Sequence, residues 1–566
     1  MTFDFETRRQ RYIQQNKNAD NTYSLLLKAY VGQSLDENLL ETAYNTYTEH
    51  KKEKKDNSDF DMVQLLRILF LTKTQEQHLS IWMKLDELFK DEHFWLFKDA
   101  KSQCFWSENH MIAYLSSWQL WNEYNNKTDE HCEQLLTAYL LNKSIYFCYE
   151  FYSQVYNTYT ISALLNIYDF TTQPKFKELA KVCIDVLFRQ LTEVVNMNGT
   201  TFCASGRTYK RYKMNSDGNN SNKLVYLLTG LSTETDLSPI GAFLATTTFQ
   251  PNENCGKDTH DHYERTYHML HAPNEFTTIY KDLSKTDRTL FQWSAGNYFN
   301  KDGITDTVNM IDEYNLWGHS HFNIDKYKWI IKCIPRSLLR PVSAALSSFT
   351  GGSTLCDATY RIYNHNYYTL TSVEDYNKGK LGAQQFPWVA NIGGCSVYTQ
   401  SGKVGKFGNM EETIGNTHLP YVKQSKNVMM IMYKPSFLLQ KTKTLAKLNT
   451  NVYLKWGEFD KEVREENWLY GMKTVNMSNE VYAAVYSTDK LQEDGDKNIY
   501  NSKTKQGWIV IAGDNDEYTD FSNFQHHVKT NTKIYFGKDR HGIPGFPSNT
   551  YYGEIQYKQN AITMKW

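Results

Sequence analysis

The chain is short of proline and glycine, with 11 and 29 in 566 residues. That excludes collagen-like, proline-rich and low-complexity architectures. Net charge is almost absent: 62 Lys and Arg stand against 63 Asp and Glu, a formal −1. A global basic field for nucleic acid is therefore missing, and only a local basic patch could serve a polyanion. No apolar run approaches the roughly 20 residues that cross a bilayer, so no membrane partner is expected. The first residues, MTFDFETRRQRYIQQNKNADN, hold neither an apolar h-region nor a small-residue cleavage site. A cytoplasmic location is the expectation, with secretion by another route left open. The nine cysteines are scattered and form no Cys-x-x-Cys pair, the usage of free buried thiols in a reducing compartment. There is no P-loop, dinucleotide fingerprint, Gly-x-Ser-x-Gly elbow or His-Glu-x-x-His helix.

Aromatics are plentiful instead, with 41 Tyr and 13 Trp. Core packing is their commoner use, and stacking on sugar rings or bases the other. The length suggests about two to four domains. Up to about residue 335 the pattern is helix after helix. SDFDMVQLLRILFLTKT places Met62, Leu65, Leu66, Leu69 and Phe70 at helical spacing, and EHCEQLLTAYLLNKS, YTISALLNIYDF, KFKELAKVCIDVLFRQLTEVVNM and SNKLVYLLTGL repeat it. Stacked helix pairs, as a solenoid or a closed toroid, are expected. After about residue 340 the segments become short, aromatic and β-branched: TYRIYNHNYYTLTSVEDY, NVMMIMY, NVYLKW, EVYAAVYST, QGWIVIAGD, TKIYFGK and YYGEIQYKQNAITMKW. These read as an antiparallel β-sandwich over residues 345–566, following a helical domain over 1–335.

FWSENHMIAYLSSWQLW is the most informative local segment. Ser107 reads as an N-cap and Glu108 as a first-turn acid. Ile112, Leu115, Trp118, Leu120 and Trp121 mark a buried stripe, so Asn109 and His110 fall at the helix mouth. Helix N-termini bind carboxylates and phosphates through free N–H groups, so the pair could hold an anionic substrate group; a solvated cap is the plainer alternative. Tyr146, Tyr149, Tyr152, Tyr156 and Tyr159 step by three or four residues, as if on one helix face. GRTYKRYK gathers Arg207, Tyr209, Lys210, Arg211 and Lys213, able to stabilise a phenolate or bind a polyanion, or simply a solvated basic loop. THDHYERTYHMLH, with His260, His262, His268 and His271, has the residue types of a zinc site but no clear register. His319 and His321 in GHSH are weaker still. No cofactor is expected, and a divalent metal lacks support.

The chain resembles the heparinase II/III-like polysaccharide lyases, in a bacterial-type branch, over roughly residues 60–540. WSENH and TSVEDYNKGKLGAQQFPW carry most of the resemblance; FDMVQLLRILFL, GRTYKR, MIDEYNLWG, LPYVKQSKNVMMIMY and GWIVIAGD keep the family's order. It implies an α/α toroid of paired helices followed by an antiparallel β-sandwich, with β-elimination on a uronic-acid polysaccharide in the cleft between them. Asn109, His110, Tyr156, Arg207 and Tyr209 would be catalytic. Glu108, Tyr152, Lys210, Arg211, Tyr360, Arg361, Gln384 and Trp388 would bind the acidic glycan. The chain departs from relatives that carry histidine just before GR and at Phe386, arginine at Tyr421, and Pro-Asp near Asn364 and His365. Two other functions fit the same reading: a non-catalytic acidic-glycan binder, and a glycoside hydrolase with carboxyls drawn from Glu108, Asp169, Glu374 and Asp375.

Overall fold

The protein is described from a computed structural model covering residues 4–566, apart from 54–55, 74–77, 209–220, 233, 253–254, 256–261, 270–274, 323, 383, 403–416, 443–449, 496–497 and 540–549. It is a mixed α+β fold. Among the described residues, helices account for the regular structure up to Thr350, with one strand among them, and strands dominate from Ala358.

Five helices pack in succession: Ser24–Tyr30, Ser58–Thr72, Glu108–Tyr124, Tyr156–Phe170 and Pro239–Ala245, the last returning to the first. Outer helices lean on them, with Glu37–Lys52 on Ser58–Thr72 and Pro174–Thr192 on Tyr156–Phe170. The inner helices are buried nearly all round, which suits their small or apolar residues on every face. Arg67 stitches three of them at full burial. Its Nη2 lies 2.8 Å from Asp169 Oδ2, and its Nη1 and Nε donate to Asn166 and Thr246, each at 2.9 Å. Asp169, a candidate hydrolytic carboxyl, is therefore an architectural ion partner.

The sheets are antiparallel. The first runs β1 (Tyr263–Met269), β2 (Ala358–His365), β3 (Tyr368–Glu374), β4 (Trp388–Ile392), β5 (Cys395–Ser401), then β8 (Val452–Lys455), β13 (Ile499–Asn501) and β12 (Gln492–Glu493). The second orders β6 (Tyr421–Ser425), β7 (Val428–Tyr433), β14 (Gln506–Asp514), β11 (Glu480–Ser487), β10 (Trp468–Thr474) and β9 (Lys461–Glu465). Leu370, Trp388 and Ile392 of the first meet Ile431, Val485 and Trp508 of the second. The other face of the second sheet is covered by a helix, Phe521–Asn531, and by β15 (Thr532–Lys538), β16 (Tyr551–Tyr557) and β17 (Asn560–Lys565). Strands β7, β11 and β14 are thus buried on both faces, which explains the unbroken apolar runs of VMMIMY and WIVIA.

Two details differ from the sequence expectation. Residues 263–269, inside the helical stretch and part of the histidine-rich segment, form β1 and pair with β2 from Tyr263↔Asn364 to Met269↔Ala358. The tyrosine stripe is not one helix face. The helix Glu130–Ile145 ends before Tyr146, which is extended, and Tyr152 has a positive φ of 50°. Only Tyr156 and Tyr159 share a helix.

The first sheet also packs on the helices, since Tyr360, Ile362 and Val373 belong to their core. Residues 197–208 run along this seam. Met197 N donates to Asn366 O (3.0 Å), Ala204 N to Thr371 Oγ1 (2.7 Å), and Thr208 N to Gln384 O (2.6 Å), while Ser205 bridges Phe386. These bonds bring Arg207 beside Gln384.

Candidate functional site

A cleft of about 680 Å³ opens at this seam, lined by Asn109, His110, Tyr156, Tyr159, Arg207 and Gln384, together with His50, Asp61 and Phe60. Asn109, His110, Tyr156 and Arg207, four of the expected catalytic residues, thus share one cavity with Gln384 from the β half.

His110 sits in the first turn of its helix. Its Nδ1 lies 2.8 Å from Oδ2 of Asp59, which is fully buried. Its ring stacks on Phe60 at 4.7 Å, and Phe60 stacks on Tyr159 at 4.1 Å. A carboxylate on Nδ1 fixes the ring's orientation and leaves Nε2 for chemistry. Burial disfavours the imidazolium, yet Asp59, helped by Asp56 and Glu150, holds the His110 pKa above its ordinary value.

The helix mouth itself is already filled. Ser107 occupies the N-cap position with extended backbone, but its side chain makes no cap bond to the helix. Glu150 takes that role from outside. Its carboxylate accepts the Asn109 backbone N–H at 3.2 Å and the Asn109 amide at 2.7 and 2.9 Å. Asn109 Oδ1 is buried and has no hydrogen-bond partner among the described residues. Glu150 also pairs with Arg207 Nη1 at 3.2 Å. Burial raises the Glu150 pKa, opposed chiefly by Arg207. The anion site expected of this helix terminus is therefore occupied by the protein's own carboxylate.

Tyr156 begins its helix, with its backbone N–H donating to Ser153 Oγ at 3.1 Å. The Arg207 guanidinium lies over the phenol ring, 5.3 Å from its centre. Gln384 Oε1 accepts from Tyr156 Oη at 3.3 Å and from Arg207 Nε at 3.4 Å. Gln384 holds φ at +61°, a left-handed conformation uncommon outside glycine and worth about 1–3 kcal/mol of strain where it persists at sites.

A second histidine–carboxylate pair was not foreseen from the sequence. His50 Nδ1 and Asp61 Oδ2 are 2.6 Å apart on the same cleft. Burial pushes the Asp61 carboxyl up to about 6, against the pull of His50. His50 closes one helix and Asp61 opens the next, so the one available clue was a helical hairpin with an acid in its first turn.

No family model matches the chain, and no curated protein does. Among solved structures, the crystal structure of heparinase III aligns over 99% of this chain and 82% of that chain, at 9% identity and a TM-score of 0.37. A second heparinase III structure aligns over 100% and 85%, at 9% identity and a TM-score of 0.26. Likeness this slight transfers no residue role; the cleft has to carry the functional reading.

Several expected binding residues lie elsewhere. Glu108 is fully buried, pairs with Lys143, and accepts the Glu150 backbone N–H at 2.6 Å. Tyr152 is buried and stacks on Tyr360 at 4.1 Å, and the Tyr360 hydroxyl donates to Ala204 O at 2.7 Å. Alternation along β2 turns Arg361 the other way, onto Glu374 at 2.8 Å. Trp388 fills the sandwich core and donates to Thr399 at 2.9 Å. All five are spent on packing or pairing rather than on the cleft. Phe386 is buried with Phe202, Val389 and Tyr398, and Cys203 is buried in the helical core, so neither former histidine position faces the cleft. Tyr209, Lys210 and Arg211 lie outside the described residues, as do His260 and His271. His268 is 3.4 Å from Asp357, and the His262 ring lies against that of His365, centroids 3.7 Å apart and planes tilted by 43°. Among the described residues no group of three His, Cys, Asp or Glu side chains is arranged to hold a metal ion.

Proposed function

We propose that the protein is a polysaccharide lyase that cleaves a uronic-acid-containing acidic glycan by β-elimination. Residues 1–335 are taken as an α/α toroid and 345–566 as the sandwich against its rim. The observation that carries the reading is the meeting, in one open cleft, of a carboxylate-backed imidazole and a phenol flanked by a guanidinium.

The chemistry needs the uronate charge neutralised, the proton on the adjacent carbon removed, and the leaving glycosidic oxygen protonated. The C–H electron pair becomes the new C=C bond as the C–O bond to the leaving sugar breaks. His110, favoured as the cation by Asp59, meets the uronate carboxylate through Nε2. Tyr156 takes the proton and returns it to the leaving oxygen. A cation beside a phenol favours its ionised form, and Arg207 stands in that place. Gln384 holds both. Asn109 contributes indirectly, since its amide is committed to Glu150. The scheme calls on no cofactor.

The test is a panel of uronic-acid polysaccharides assayed for unsaturated chain ends by ultraviolet absorbance. Tyr156→Phe deletes only the hydroxyl, and loss of an acid–base group lowers rate by roughly 10²–10⁴-fold. Turnover by Tyr156→Phe near the wild-type rate refutes the role. The capture of Asn109 by Glu150 favours a second reading, an acidic-glycan binder without turnover. Wild type would then bind a member of the panel and yield no unsaturated product.

A further inference from the structure

Helices Lys328–Cys333 and Arg336–Ala345 are joined by only Ile334 and Pro335. The stretch 327–346 holds five of the eleven most exposed large apolar side chains among the described residues: Tyr327, Trp329, Ile330, Leu338 and Leu346. Trp329 is 69% exposed and Leu338 50%. The shorter helix buries no side chain, and the longer one buries only Leu339 and Ser343. Single exposed apolar residues are ordinary on protein surfaces, but such clustering marks a contact site.

The same stretch is strongly basic. Residues 325–346 contain Lys326, Lys328, Lys332, Arg336 and Arg340 against Asp325 alone. Asp312 pairs with Lys332 and Arg336, and Asp302 with Arg340. Lys326 and Lys328 pair with no described carboxylate and lie near the Tyr327 and Trp317 rings.

We propose that this face docks on an anionic lipid bilayer. Tyr and Trp rings settle at headgroup depth, aliphatic side chains enter the acyl boundary, and flanking cations meet the lipid charge. Ile330, Leu338 and Leu346 offer no flat face for a sugar ring, which argues against glycan as the occupant. A second copy of the chain would set Lys326 and Lys328 against their own counterparts, which argues against self-association. Among the described residues no helix is long and apolar enough to cross a membrane, and docking in the interface needs none. None of these side chains lines the catalytic cleft, so the inference stands apart from the lyase reading.

The experiment is co-sedimentation of the full chain with vesicles of phosphatidylcholine alone and of phosphatidylcholine with phosphatidylglycerol. Binding is expected to the anionic vesicles only, weakening as salt rises. Lys326→Glu/Lys328→Glu should lower partitioning by about tenfold or more, given the contribution of each surface cation. Trp329→Ser/Ile330→Ser should abolish binding, and both variants should keep the wild-type circular dichroism spectrum because none of the changed residues is buried. Absence of vesicle binding overturns the proposal, as does equal binding to neutral vesicles. A wild-type dimer that the Trp329→Ser/Ile330→Ser variant converts to monomer overturns it too, since the face would then be a self-interface.

Discussion

Replacing Asp59 by Asn tests the core of the site without any substrate. Asn keeps the size of the side chain and an oxygen able to accept from His110 Nδ1, while the charge is gone. In wild type the two groups sit 2.8 Å apart, with Asp59 fully buried and His110 nearly so. Charges centred about 4 Å apart at an effective dielectric of about 20 attract by about 4 kcal/mol, a ceiling of about three pKa units. Measured shifts from one opposing charge run at about 1–3 units. His110 in the variant should therefore titrate lower than in wild type, followed by its ring resonances in an NMR titration. The stability profile should change sign with it. A His raised in the folded state contributes stability below the unfolded value of about 6.5, lost as pH rises through the folded pKa. Once Asp59 is neutral, burial acts with less opposition and depresses His110. The His110 contribution is then present at high pH and lost as pH falls. Unchanged titration of His110 in Asp59→Asn would refute the charged pair and the role assigned to the imidazole.

His110→Ala should destabilise the fold by about 3–5 kcal/mol, read by denaturant unfolding, because it strands a buried carboxylate. Although it stands in the first turn, the ring is buried against Phe60. Asp61→Asn should remove an acidic limb near pH 6 from the profile of kcat/KM, since that carboxyl is pushed up to about 6; persistence of the limb would assign it elsewhere. Arg67→Ala should lower stability by about 3–5 kcal/mol by leaving Asp169 buried and unpaired, and a loss under 1 kcal/mol would show that water replaces the guanidinium.

The helices and most of the long strands were legible because burial imposes a period. Ser58–Thr72 and Tyr156–Phe170 fall where apolar spacing put them, and Gly230, left-handed at φ +75°, ends the helix Asn222–Thr229 as a glycine there should. Strands such as β6 and β9 are short, polar and part-exposed, and offered no comparable pattern. The strand β1 was concealed by its histidines, which drew attention to metal chemistry in a segment that alternates half-buried and exposed. Motif reading found Asn109, His110, Tyr156, Arg207 and Gln384, all on the cleft. It could not show which of their donors were spent. Asp59 and Glu150 were invisible as partners, since a hydrogen bond across 51 or 41 residues leaves no local mark.

Glu150 decides how an anionic sugar can be met. Its oxygens receive the Asn109 backbone N–H, the Asn109 amide nitrogen and one arm of Arg207. It is 1% exposed and raised in pKa chiefly by burial, so an incoming carboxylate cannot displace it without leaving it charged and unpaired, a penalty of several kcal/mol. Asn109 is thus a fixture that holds Glu150, and Glu150 a fixture that aims Arg207. Arg207 Nη2 makes no hydrogen bond to a described residue, and neither does His110 Nε2. Among the described residues lining the cleft, those two donors are the positive groups left to meet an anion. On the proposed lyase reading, a substrate carboxylate would meet the His110 imidazole and the Arg207 guanidinium, and the Tyr156 phenol would take the adjacent proton.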